Sequence, residues 1–490
     1  MNKMGALTLT TLLASAVGAA QWSGGGSNEI FDPANWGGTT LDGTTDATFW
    51  GGEALSLVMS EDHTIKTMPI YGRTMTVDFQ GKTMTVSGGD IRPMRGAKVT
   101  FTNGVVTETT GTLRVGQEGA NSLLTLTGST FSMSVPSSLI GQGEGTSFSG
   151  IVVENGASLT INNNMPFANT YTHTSNNYAR VTGEGSKIYV PGGNVTIGHQ
   201  GIGGNNWVEV ADKGLFTCGK TMIGNHAECP NNLLRITDGG AYTNNGDFAI
   251  SSVANSNGNR IEVLDGGDLY VRDNFYIASN GSIGNALVIS NASVTVGKQV
   301  LLAGNGASSE NEIRVIDGTL TASTGFRFCW GTEAEGNRVV ISNGCISTAG
   351  ILLGKNDPAV VKDNRIVFCG DKSRWTVSGT DISLKSGATL EVDFPVKGRD
   401  PSVVCLQGLD ANLNLDGTMR IVVNAEKYAR QLSQTTTYPL VRVKSQIAAT
   451  ALDHVTVDLP DYVIVSLTSD KKGIDITVKP ARKGLIICVR

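Results

Sequence analysis

Apolar and polar residues alternate along this chain in short runs, and the runs recur at a nearly fixed spacing. Six successive segments begin Asn-x-apolar-x-apolar: Asn232-Leu-Leu-Arg-Ile, Asn259-Arg-Ile-Glu-Val, Asn285-Ala-Leu-Val-Ile, Asn311-Glu-Ile-Arg-Val, Asn337-Arg-Val-Val-Ile and Asn364-Arg-Ile-Val-Phe. Their spacings are 27, 26, 26, 26 and 27 residues. Asn206-Trp-Val-Glu-Val extends the series upstream by 26, and Asn177-Tyr-Ala-Arg-Val lies 29 before that. Weaker starts near Ser149, Ser122, Ala97 and Arg73 carry it toward the N-terminus.

Each unit has the same inner plan. Apolar residues at alternate positions predict a strand with one buried face. A turn follows, as in Asp265-Gly266, Asp317-Gly318 and Asn343-Gly344. These residue types tolerate positive φ and allow a sharp bend. A second short strand comes next, such as Leu269-Tyr-Val271 or Val294-Thr-Val296. A third ends in apolar-then-Gly, as in Ile223-Gly224, or in Leu302-Ala-Gly304. A loop of Gly, Asn and Ser returns the chain to the next Asn.

Three short strands in so few residues cannot make long hairpins. The pattern predicts a coil that winds, each turn stacked on the last, with parallel sheets around one elongated core. The expected fold is therefore an all-β, single-stranded parallel β-helix (a β-solenoid) of about twelve coils over residues 71–395. The general crossover rule favours a right-handed wind. The asparagines at the coil starts (Asn177, Asn206, Asn232, Asn259, Asn285, Asn311, Asn337 and Asn364) should stack as a structural ladder of side-chain amides. Asp238, Asp265, Asp317 and Asn343 recur at one offset, and turn chemistry accounts for them.

A solenoid needs closed ends, since open ones expose unpaired backbone. Residues 21–70 lack the coil pattern and carry Trp22, Trp36, Phe49 and Trp50, which suits an N-terminal cap. Residues 396–490 hold longer alternating runs and suit a β-rich C-terminal cap, with one helical stretch near Ala425 to Leu432. Residues 1–20 read as a secretory signal peptide: Lys3, a short apolar run, then Gly18-Ala-Ala20 as the processing site. The expected destination is the cell surface or the extracellular space.

The net charge of −5 excludes the basic face that nucleic acid or an anionic membrane requires. No segment reaches the roughly 18 apolar residues of a membrane helix. Of the seven cysteines none forms a CxxC pair, so no zinc ribbon or redox motif is expected. Cys218 and Cys229 are close enough in sequence to pair. The alternative is that most cysteines are small buried residues. No cofactor is expected.

The mature start Gln21-Trp-Ser-Gly-Gly-Gly, then Ala34-Asn-Trp-Gly-Gly38, the Asn-x-Ile-x-Val-x-Asp-Gly coils and the closing Tyr438-Pro-Leu-Val and Gly473-Ile-Asp-Ile-Thr-Val together span nearly the whole mature chain. They resemble autotransporter passenger regions, and most of all secreted proteins with autotransporter-associated β-strand repeats. The resemblance implies an exported, passenger-like rod and brings no catalytic residues with it. Residues 396–490 are too few for a membrane translocator barrel, which departs from a complete autotransporter.

Chemistry is sparse. His173, His199 and His226 fall in the loop after the third strand of three consecutive coils, with Tyr171 and Glu228 beside them and Trp330, Glu333 and Glu335 further along. Stacked loops form a ridge, so Tyr171, His173, His199, His226, Glu228 and Trp330 make the candidate ligand-binding set. Three histidines together suit a metal, acid/base work or an acidic glycan, and aromatic rings suit sugar faces. A solvated loop face is the simpler reading. The carboxylate motifs of polygalacturonase-type β-helices are missing, and Gly198-His-Gln-Gly201 only distantly resembles one of them. Arg92-Pro-Met-Arg95 resembles an Arg-rich pectate-lyase motif, with the wrong spacing. The expected function is a non-catalytic exported rod that acts in structure or adhesion, with extracellular glycans or cell-envelope components as partners. The alternative is a secreted polysaccharide lyase or hydrolase.

Overall fold

The computed structural model describes residues 19–480 apart from 170–172, 201, 305, 330–332, 355–360, 385–387, 394–401, 409, 416–419, 425–432 and 458–460. The chain is a parallel β-solenoid of about fourteen turns, each near 26 residues. Among the described residues there is no α-helix, only short 3-10 turns at Pro33–Trp36 and Ala449–His454. The helical stretch expected near Ala425 to Leu432 lies outside the described residues.

One coil shows how sequence becomes fold. From Asn259 the chain makes strands Arg260–Leu264, Asp268–Val271 and Phe275–Ile277. Their inward residues Ile261, Val263, Leu269, Val271, Phe275 and Ile277 are all 0% exposed. Each large apolar side chain so buried contributes about 1.5–3 kcal/mol. The turn between the first two strands has Asp265 at φ 45° and Gly266 at φ 80°, the left-handed geometry expected of an Asp-Gly pair. Every strand then pairs in parallel with its counterparts one coil away: Arg260–Leu264 with Ala286–Ser290, Asp268–Val271 with Ser293–Val296, and Phe275–Ile277 with Val300–Leu302.

The first strands form one parallel sheet of sixteen, in chain order, from Leu55–Val58 to Val455–Val457. At about 4.8 Å per strand that sheet runs roughly 70 Å. The stack thus begins inside the segment expected as the N-terminal cap and ends inside the one expected as the C-terminal cap. Early coils alternate too briefly to announce themselves, and parallel pairing demands nothing more than that alternation.

The N-terminal end is sealed by rings. Trp22, Trp36 and Phe49 are buried together, with centroids 5.1–5.5 Å apart. Trp36 Nε1 donates to the carbonyl of Ile30 at 2.7 Å, so the buried indole is satisfied. At the other end Thr436–Val443 lies parallel to Leu406–Gly408 and antiparallel to Gly473–Val478, which pairs antiparallel with Val463–Leu467. That reversal turns the open edge of the stack into a closed antiparallel ribbon.

The asparagine ladder is present over all eight expected rungs, each 0% exposed. Asn177 Oδ1 accepts the Ser149 backbone N–H, and from Asn206 onward each Oδ1 accepts two bonds from the rung before it. Asn259 Oδ1 takes the backbone N–H of Asn232 at 3.0 Å and its Nδ2 at 2.8 Å. The same pair of bonds joins Asn177 to Asn206, Asn206 to Asn232, and so on to Asn364. The second Nδ2 hydrogen turns to the loop: Asn311 reaches Ser282 O and Asn337 reaches Ser308 O. The ladder continues upstream on serine, through Ser149 Oγ and Ser122 Oγ. It also accounts for the glycine that ends the third strand. A Cβ on Gly198 would lie 2.6 Å from Asn232 Nδ2, and one on Gly224 would lie 2.4 Å from Asn259 Nδ2.

Of the two readings for Cys218 and Cys229, a pair or small buried residues, the structure has the second: both are buried free thiols. Cys218 joins a core network with Thr221 Oγ1 (3.1 Å) and Tyr242 OH (3.3 Å), while Cys229 sits against the ladder near Asn206 and Asn232. Desolvation holds the Cys218 thiol up at about 11. Cys329 and Cys405 are buried as well, whereas Cys345 and Cys369 are half-buried.

Candidate functional site

The histidine ridge assembles in part. His173 is exposed and forms a single parallel bridge with Ile202 in the next coil. His199 is half-buried, and its backbone N–H donates to Phe167 O at 2.9 Å. Burial pushes the His199 imidazole below its ordinary pKa, and nearby His226 pushes the same way, so the structure brings those two rings into electrostatic contact. His199 Nδ1 is buried and without a hydrogen bond among the described residues. His226 Nδ1 accepts the backbone N–H of Glu228 at 3.4 Å, and the Glu228 side chain faces solvent. Tyr171 and Trp330 lie outside the described residues. Glu333 and Glu335 are exposed on a short rail of strands Ala307–Ser309, Glu333–Glu335 and Val361–Lys362. Among the described residues no group of three His, Cys, Asp or Glu is placed to hold a metal ion.

The three outer sheet faces differ in chemistry. The first carries charge, and the charge is paired across coils: Arg180 with Glu209 at 2.8 Å, Arg235 with Glu262 at 2.7 Å, and Arg365 with Glu391 at 3.3 Å. Arg260 also reaches Glu262, at 2.6 Å. Burial works against the Glu262 carboxylate, yet the hydrogen bonds from Arg235 and Arg260 hold its pKa below the ordinary value. Tyr178 and Trp207 stack on this face, 4.5 Å apart at 6°. The second face is a row of hydroxyls set by register, for instance Thr295 beside Thr321 beside Ser347, broken by exposed Tyr189 and Tyr270.

Two grooves lie on the third face. One, about 280 Å³, is lined by Leu139, Pro166, Asn163, Asn164, Asn194, His199 and Met222, among others. The second, about 390 Å³, includes Gln299, Arg327, Leu352, Asp381 and Asn414. Asn164 Oδ1 accepts the Asn194 backbone N–H at 2.9 Å, which leaves the Asn164 amide hydrogens for another partner. Among the described members of the predicted ridge, His199 is the one that lines either of these grooves.

At the N-terminal end of this face stands a polar cluster that the spacing of residues along the chain does not announce. Arg114 Nε donates to Asp90 Oδ2 at 2.6 Å, and Arg114 Nη1 donates to Gln142 Oε1 at 2.6 Å. Arg92 is half-buried, and its Nε is enclosed with no hydrogen-bond partner among the described residues. Glu108, only 3% exposed, points inward toward the Ile91 backbone, and its carboxyl oxygens have no side-chain partner among the described residues. Burial pushes its carboxyl up to about 8, with the charge on Asp90 adding to the shift. The available signal was Val105-Val-Thr-Glu108, where a glutamate takes an apolar position of the alternation.

No protein-family model, curated protein or solved structure matches the chain. Its functional reading therefore rests on the geometry of these faces.

Proposed function

We propose that this chain is an exported, non-catalytic β-solenoid rod, similar to an autotransporter passenger. In this reading it acts at the cell surface or in the extracellular matrix, with one long face turned to glycans. The observation that carries the reading is the division of labour among the three faces. Carboxylates and guanidiniums on the first pair across coils, hydroxyls cover the second, and the third offers two grooves, one lined by amides and apolar side chains and one that also holds Arg327 and Asp381. General acid/base cleavage of a glycosidic bond uses a pair of carboxyl groups flanking that bond. The 280 Å³ groove is lined instead by Asn163, Asn164, Asn194, His199 and apolar groups. Amide side chains donate and accept at once, which matches sugar hydroxyls.

The test uses purified residues 21–490 and a panel of acidic and neutral polysaccharides, with polymer size and new reducing or unsaturated ends followed over a day. The expected result is binding without depolymerisation. Cleavage of any polymer that is lost on His199→Ala would replace the rod by an enzyme of the polysaccharide-processing kind.

A further inference from the structure

We propose that Arg92 and Arg114 form an anion subsite for the carboxylate of an acidic sugar, whose chain continues along the third face into the groove at Asn164 and Asn194. The inference rests on the glycan-facing reading above and adds the ligand's charge and its anchor.

The geometry begins with register. Ile91–Met94 pairs with Met68–Tyr71, which sets Arg92 opposite Pro69. The backbone bond from Gly116 N to Pro93 O lays Leu113–Val115 on the other side of Ile91–Met94, so Arg114 stands one rung beyond Arg92. The next rung places Leu139 beside Arg114. Leu139, Pro166 and Met222 then line the groove that holds Asn163, Asn164 and Asn194. Cations and groove thus share one axial row, at about 4.8 Å per coil.

The charge count favours an anion. Two guanidiniums share this row with one ion-paired carboxylate, Asp90. The other acid nearby, Glu108, is enclosed and held protonated at neutral pH by its burial. Arg114 uses Nε and Nη1 on Asp90 and Gln142. Arg92 has no ion pair among the described residues, and its Nε is shut off from water without an acceptor. Only Nε is enclosed, so the terminal nitrogens of the half-buried Arg92 are left to meet a partner from solution. A planar fork of five donors suits a carboxylate in particular. The sugar portion is argued by the groove, where Leu139, Pro166 and Met222 offer apolar surface and the Asn163, Asn164 and Asn194 amides offer hydrogen-bonding groups along successive coils.

The experiment measures calorimetric affinity of residues 21–490 for polygalacturonate, for its methyl ester and for neutral galactan. The acid polymer should bind at least tenfold tighter than the ester, with affinity falling as salt rises. Arg92→Ala should lose about tenfold or more, Arg92→Lys should recover only part, and Asn194→Ala should weaken all three polymers alike. Unchanged melting of each variant excludes unfolding as the cause. Equal affinity for acid and ester, no binding of the acid, or an Arg92→Ala protein that binds like the parent would each overturn the subsite. Cleavage of bound polymer would overturn the non-catalytic reading and leave the subsite standing. Loss of the subsite with no cleavage would leave the rod reading intact.

Discussion

Glu108 concentrates the tension between repeat and site in a single side chain. Its register neighbour is Val86, an apolar residue that is 0% exposed, so the stack treats the position as core. The acid must then stay protonated to remain buried. Its folded pKa of about 8 lies above the ordinary 4.5. Below the ordinary value both folded and unfolded chains hold the proton, and the group costs no ionisation energy. As pH rises from there to about 8 the unfolded chain ionises first, and stability falls; above 8 the loss is complete. At 1.36 kcal/mol per unit that loss is on the order of 5 kcal/mol. Glu108→Gln should therefore melt close to the parent near pH 4 and well above it near pH 9. Parallel stability-against-pH curves for the two proteins would show that Glu108 ionises freely in the fold.

At the scale of the element, the ladder and the glycine after the third strand are one device. Removing the Asn259 side chain strips the acceptor from both the N–H and the Nδ2 of Asn232. Those donors have no route to water, so Asn259→Ala should cost about 2–4 kcal/mol, read as a lower denaturation midpoint. Asn259→Ser, which retains an acceptor as Ser149 does upstream, should cost less. Equal losses would mean that cavity rather than hydrogen bonding sets the cost. The ladder was legible in the sequence because from Asn206 onward an unvarying Asn every 26 or 27 residues marks a position where each coil meets the same physical demand. Its serine rungs at Ser122 and Ser149 were visible only as weak coil starts, since serine is common in these loops. The Arg92–Arg114 cluster was not legible. Nothing in Arg92-Pro-Met-Arg95 says that Arg95 pairs with Glu118 while Arg92 stands beside Arg114, which itself meets Asp90 and Gln142 from the coils on either side. The histidine spacing placed His199 and His226 near one another but could not tell that the groove belongs to the third sheet.

At the scale of the whole molecule, a stack of about fourteen turns makes one continuous core with three distinct faces. Alternation and turn chemistry were enough to define that architecture, because each coil repeats the same local solution. The coil count at the ends was harder to read, since capping segments obey the same alternation as coils. What the faces do depends on which side chains neighbour one another across coils, a relation that sequence order hides. The most direct measurement is hydroxyl-radical footprinting of residues 21–490 with and without bound polygalacturonate. A ligand held on the third face predicts protection at Leu139, Pro166 and Met222, with Tyr178 and Trp207 on the first face and Tyr270 on the second still labelled. Protection centred on the first or second face, or none at all, would contradict a rod that holds its ligand on the third.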